Sequence, residues 1–276
     1  MSELIFSRPR NEASKPVRRW MYDRVWLLSL PMLAFLALPL LALLLRISPM
    51  SLLDTLGEPG VHQAIGISLQ TSLITVALTV IFGSPLAYLL ARRSFRFKRL
   101  VEALVDLPIV LPPAVAGVAL LIAFGRHGIL GETLDLWGIQ IAFTPLAVVL
   151  AQIFIAAPLF IRSAAIGFAS VEPELEQAAG LDGASSWAVF RLVTLPLSRY
   201  ALLSGVMMTW ARALGEFGAT IIFAGNFPGR TQTMPLAIYL GFELDMAVAL
   251  TLSVIMLGLS FTTLFLVKIF FQHERD

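Results

Sequence analysis

The chain has 276 residues, 58% of them hydrophobic and 14% charged, whereas soluble domains run at about 45–50% apolar and about 25% charged, so the composition is that of an integral membrane protein. The absence of cysteine excludes disulfides, thiolate nucleophiles and cysteine-based metal sites. Three scattered histidines (His62, His127, His273) form no metal cluster, and with a net charge of only +2 the distribution of charge matters more than its sum.

Residues 1–24 form a polar, basic tail. No small-residue cleavage site follows the first apolar run, so that run is expected to stay as a membrane anchor rather than leave as a secretory signal. Six segments reach the roughly 20 apolar residues that cross a hydrocarbon core: 25–45, 65–91, 100–124, 143–166, 200–224 and 246–271. Strands of a barrel would be about 10 residues long and alternate in polarity, so helices are expected. The tail (Arg8, Arg10, Lys15, Arg18, Arg19, Arg24), second loop (Arg92, Arg93, Arg96, Lys98, Arg99), fourth loop with its edges (Arg162, Arg191, Arg199) and C-terminus (Lys268, Arg275) carry most of the 20 Lys and Arg residues. The opposite side holds Arg46, Arg126 and Arg230, and Arg212 lies within a span. This asymmetry places both termini in the cytoplasm. The expected organisation is a cytoplasmic tail (1–24), a first helix with an external loop (25–64), a transmembrane domain (65–271) and a short C-terminal tail (272–276).

The third span contains Leu107-Pro108-Ile109-Val110-Leu111-Pro112-Pro113. Proline removes a backbone donor and clashes with the preceding turn. Backbone freed at membrane depth is tolerated only against protein or a cavity, so this span is expected to be kinked or broken and to face the interior of a bundle. A kink that only shapes packing is the plainer alternative. The single prolines Pro31, Pro39, Pro85, Pro145 and Pro158 read as packing features. Glu102 and Asp106, one turn apart at the start of the span, read either as a solvated helix end or as a proton relay.

Residues 172–196 are too polar to span a membrane, yet lie between spans on the basic side. Pro173 suits a first helical turn, and Glu172, Glu174 and Glu176 favour the same end through the helix dipole. Ala178 and Ala179 continue the helix. Gly180 and Gly183 break it, Gly183 being able to take the positive φ of a sharp turn. Ser185 or Ser186 can cap a second helix through Trp187, Phe190 and Leu192, which Pro196 is expected to end. Trp187 and Phe190 are large apolar residues of the kind found at protein interfaces.

The fifth span carries Arg212 and Glu216, four residues apart and so able to pair on one helix face. Intramembrane charge marks function by default; a structural ion pair is the plainer reading. Gly215 and Gly218 would allow close approach of another backbone.

Glu176, Ala178, Ala179, Gly183 and Leu195-Pro196 resemble the "EAA" motif of permease subunits of ATP-binding-cassette importers, with Gln177 replacing the first alanine of the usual triplet. The stretch 107–117 and the run Leu214-Gly215-Glu216-Phe217-Gly218-Ala219-Thr220, continued through 225–239, resemble the molybdate permease subfamily. The resemblance covers most of residues 65–271. It implies an all-α membrane protein with six transmembrane helices in the type I importer permease fold, set in the cytoplasmic (inner) membrane. It also implies that Glu176, Ala178, Ala179, Gly183, Trp187, Phe190 and Pro196 dock on an ATPase. Pro108, Pro112, Pro113, Gly117, Arg212, Glu216 and Thr220 are then candidates for the translocation path and gate, with Ser68 and Thr71 as further donors. Implied partners are a cytoplasmic ATPase dimer, an external oxyanion-binding protein, a second permease copy and the bilayer, with no nucleic acid. The chain has no Gly-x-x-x-x-Gly-Lys-Ser/Thr phosphate loop, so ATP is expected to be used by the ATPase partner, with no catalytic residue, metal or cofactor held by this chain. The alternatives are a sulfate or thiosulfate permease and, from another class, an ion-coupled secondary transporter using Glu102, Asp106, Arg212 and Glu216. A membrane enzyme lacks support: neither His-Glu-x-x-His nor Gly-x-Ser-x-Gly occurs.

Overall fold

The computed structural model of the chain describes residues 17–272, so the expectations for Arg8, Arg10, Lys15 and Arg275 lie outside the described residues. Their regular structure is helical: α1 (Val17–Arg46), α2 (Pro49–Leu56), α3 (Pro59–Arg92), α4 (Lys98–Val110), α5 (Pro113–Phe124), α6 (Gly131–Leu136), α7 (Pro145–Ser170), α8 (Pro173–Leu181), α9 (Ser186–Val189), a π-helical segment (Phe190–Thr194), α10 (Leu195–Leu214), α11 (Gly218–Phe223), α12 (Met234–Leu244) and α13 (Met246–Gln272). The chain divides into two compact units, Met1–Arg46 and Ile47–Asp276. The first contains one apolar helical stretch, Val25–Arg46, long enough to cross a membrane.

In the second unit, four helical stretches are long and apolar enough to span singly, and α4 and α5 reach that length only together, bent by 117° at their junction. The third span is therefore broken, as its prolines demand: Pro113 starts α5, and Leu111 and Pro112 between the two helices are extended. Its orientation differs from expectation. Pro108 is buried, but Pro112, Pro113, Leu107 and Val110 are exposed, so within one chain the break itself does not face an interior, whereas Ala116, Gly117 and Leu120 of α5 do. The fifth span is also broken. α10 ends at Leu214, and Gly215-Glu216-Phe217 separates it from α11. Pro145 starts α7 behind a Thr144 cap, a boundary signal rather than a packing feature.

α7 is the hub. Phe160, Phe168 and Ala164 of α7 form one core with Ala87 and Leu90 of α3. Ala147, Val148 and Ala151 form another with Ala116 of α5 and Phe223 of α11. α12 and α13 join α3 around Met234, Leu252 and Val61. In lipid such contacts rest on close packing and interhelical hydrogen bonds rather than on water exclusion. Ser68, Thr71, Ser72, Thr75 and Thr79 are all buried on α3. Thr75 Oγ1 donates to Gln152 Oε1 (2.9 Å), and Gln152 Nε2 to Thr71 Oγ1 (3.3 Å). Trp210 Nε1 donates to Ser72 Oγ (3.0 Å) and the Met234 amide to Ser68 Oγ (2.7 Å). Ser68 and Thr71 thus belong to a seam that joins α3, α7, α10 and the start of α12.

Candidate functional site

Residues 172–196 form a two-helix elbow at the end of the bundle where α3 and α7 terminate. Glu174 and Glu176 stand in the first turn of α8, behind Pro173. Gly183 makes the corner at φ +90°, and Ser185 caps α9 by accepting the Ala188 amide at 3.3 Å. The chain then does not stop at Pro196. A wide turn carries α9 into α10, with the Leu195 amide donating to the Phe190 carbonyl five residues back. Pro196 occupies the first turn of α10, and the 29 residues Ser186–Leu214 run as one apolar helical stretch. The widened ladder provides what an interior proline lacks: a turn that does not need its missing donor.

The elbow has two faces. Outward stand Leu181 (90% exposed), Trp187 (68%) and Leu192, and Ala178 and Gly183 are also exposed. Phe190, grouped with Trp187 by sequence, turns inward, edge-on to Tyr88 of α3 at 5.4 Å and tilted against Phe168 of α7 at 6.0 Å. Glu176 turns inward too. Its Oε1 accepts Arg92 Nη2 at 2.8 Å and Thr194 Oγ1 at 2.6 Å. Arg92 Nη2 also donates to the Val171 carbonyl at 2.9 Å. Arg92 and Thr194 carried no signal in the sequence. Arg92 counted only as a loop charge, and its partner lies 84 residues away.

The candidate gate residues fall into two groups. Pro112 and Pro113 are exposed. Gly117, Arg212, Glu216 and Thr220 lie where α10, α11 and α5 meet. Arg212 Nη1 donates to Glu216 Oε2 at 2.8 Å, and Glu216, only 1% exposed, also accepts the Ala219 amide on Oε1 at 2.8 Å. The pair forms as its spacing predicts, but at a helix break rather than mid-helix: Glu216 sits just past the end of α10 and ties it to the first turn of α11. A Cβ on Gly117 would lie 2.9 Å from the Ala219 carbonyl, and one on Gly218 2.7 Å from the Pro113 ring. Both glycines allow α5 and α11 to touch, whereas Gly215 meets only its own turn. Thr220 Oγ1 is buried without a partner.

Asp106 takes a two-toothed bond from Arg162 of α7, Nε to Oδ1 at 2.5 Å and Nη2 to Oδ2. It is neither a freely solvated helix end nor an unpaired relay carboxylate. Between the end of α5 and the start of α7 is a cavity of about 210 Å3 lined by Arg126 and Asp135, whose side chains stand 3.6 Å apart. Among the described residues, no group of three or more His, Asp or Glu could hold a metal ion.

The family model for the inner membrane component of binding-protein-dependent transport systems matches residues 80–275. The molybdenum transport system permease protein ModB of Mycobacterium bovis is 39% identical over 238 residues, 86% of this chain and 89% of that protein. The sulfate transport system permease protein CysW of Synechococcus elongatus is 35% identical over 215 residues, 78% of this chain and 75% of that one. Among solved structures, a bacterial alginate ABC transporter in complex with a pentasaccharide-bound periplasmic protein superposes with a TM-score of 0.68, 16% identity and coverage of 92% of this chain and 93% of that one. At that identity the likeness is one of fold, and it bears out the expected all-helical importer permease architecture.

Proposed function

This chain belongs to the family of inner membrane components of binding-protein-dependent transport systems, and on that premise we propose that it is the permease subunit of an ATP-driven importer whose cargo is a tetrahedral oxyanion, molybdate. It is a multi-pass membrane transport subunit and not an enzyme. The observation that carries the coupling part of the reading is the elbow 172–196, whose apolar outward face, Leu181 and Trp187, is exposed while its inward face is bound to the bundle. An ATPase subunit docks there from the cytoplasm, and an oxyanion-binding protein delivers cargo at the opposite end. A second copy of the chain completes the pathway against the exposed elbow of α4 and α5.

The choice of molybdate is supported by the relatives named for molybdenum transport and by the segments 107–117 and 214–239. Conduction needs donors without a deep trap. In keeping with this, Arg212, Arg92 and Arg126 each stand beside a carboxylate, so selectivity rests with the binding protein. Sulfate is the second reading, favoured by the 35% identity to a sulfate permease. Uptake by the assembled complex in proteoliposomes, with molybdate, tungstate and sulfate in competition, is expected to rank the two metal oxyanions above sulfate. A preference for sulfate would overturn the choice of cargo.

A further inference from the structure

Four chain segments converge on one carboxylate oxygen. Glu176 Oε1, on α8, takes the last residue of α3 through Arg92 and the last residue of the π-helical segment through Thr194. Arg92 brings in the end of α7 through the Val171 carbonyl. Thr194 is fully buried, and the side chains of Arg92 and Glu176 are 14% and 18% exposed. A charge-assisted bond out of water is strong and directional. The rest of α8 offers the bundle nothing comparable, since none of its residues is buried. Glu176 and the aromatic contacts of Phe190 are therefore the points at which the elbow is fastened.

We propose that Arg92 and Thr194 are positioning residues for energy coupling: they hold Glu176 so that a displacement of the elbow is delivered to α3, α7 and α10 together. The partner of this glutamate is inside its own chain. The π-helical segment has a specific part in this. Its last residue, Thr194, is buried against Glu176 while Leu192 stays outside, and π turns recur at functional positions. Arg92 Nε is buried without a partner, so the guanidinium uses one arm.

The inference rests on the elbow being the ATPase-docking element, and the test separates the two. In proteoliposomes holding the permease, its ATPase and an oxyanion-binding protein, the ATP hydrolysed per molybdate imported is measured for Arg92→Glu, Glu176→Arg and the double reversal. Each single reversal is expected to raise that ratio by at least about tenfold, a coupling loss within the usual allosteric range, while the ATPase still co-purifies. The double reversal is expected to restore most of the coupling. Thr194→Val and Glu176→Gln, which preserve shape, are expected to raise the ratio several-fold, and they decide the matter if the reversals fail to fold. Unchanged ratios in both mild variants, or single reversals that fail with no recovery in a double variant that assembles, would overturn the proposal. Trp187→Glu tests the underlying reading: it is expected to release the ATPase, and retention of the ATPase would sink the docking role without bearing on the Arg92–Glu176 contact.

Discussion

At Glu216 one side chain does two jobs that the sequence shows only in part. Pairing with Arg212 was legible, because four residues is one helical turn. The bond to the Ala219 amide was not, because it exists only where the helix breaks, and Gly215 gave no indication of which way the chain would turn. Removing the side chain leaves a buried amide without an acceptor, which costs about 1–3 kcal/mol, in addition to the lost ion pair. Glu216→Gln keeps an acceptor for that amide. Glu216→Ala is therefore expected to lower the thermal midpoint in detergent by clearly more than Glu216→Gln, and Arg212→Gln, which strands the buried carboxylate, also by more than Glu216→Gln. Equal losses in both Glu216 variants would show that the amide bond contributes nothing. Glu176 is the contrasting case. The motif singled it out, but its partners Arg92 and Thr194 were hidden, one by 84 residues of intervening chain and one by the wide turn that aims it. Phe190 stacks on Trp187 at 5.7 Å and also reaches Tyr88 and Phe168, so it links the exposed ring of the elbow to the bundle, a contact that spacing alone did not show.

Among the elements, those that announce themselves by chemistry at their ends were legible: α8 through Pro173 and the acidic first turn, α9 through Ser185, the corner through Gly183. α12 was not, because 11 residues fall short of a membrane span. Nor was the continuity of α9 with α10, because proline reads as a stop until a π turn lifts the requirement for its donor. That segment yields a direct prediction. Deleting Val193 returns the stretch to ordinary helical pitch and turns the elbow by about 100° about the helix axis, the rotation of one residue at 3.6 per turn. The variant is expected to enter the membrane in normal amount yet lose ATP-driven uptake. Wild-type uptake would mean that the extra residue is incidental.

Over the whole molecule, the apolar helices followed from hydropathy, because a membrane asks the same thing of every helix, but their bounds did not: the fifth stretch runs Ser186–Leu214 rather than 200–224. Which helix would be the centre did not follow. α7 holds that place through Phe160, Phe168 and Gln152, and only Gln152 among these is unusual for an apolar span. Its bonds to Thr71 and Thr75 are testable as a pair. In membranes such side-chain bonds couple by about 0.6 kcal/mol on average and about 1.7 at most, so a cycle of Thr75→Val, Gln152→Leu and the double variant, followed by unfolding in detergent micelles, is expected to give a coupling in that range. A coupling of zero would mean that the seam is passive. The hydroxyls of α3 recur at every turn, at 68, 71, 75 and 79, and the last of these, Thr79 Oγ1, is buried with nothing to bond. Gln152 now bridges Thr71 and Thr75. A slide of α7 along α3 by one turn, about 5.4 Å, would set it between Thr75 and Thr79 with the same number of bonds. The seam thus resists separation of the two helices while leaving one hydroxyl, that of Thr79, without a partner a single turn beyond the bridge.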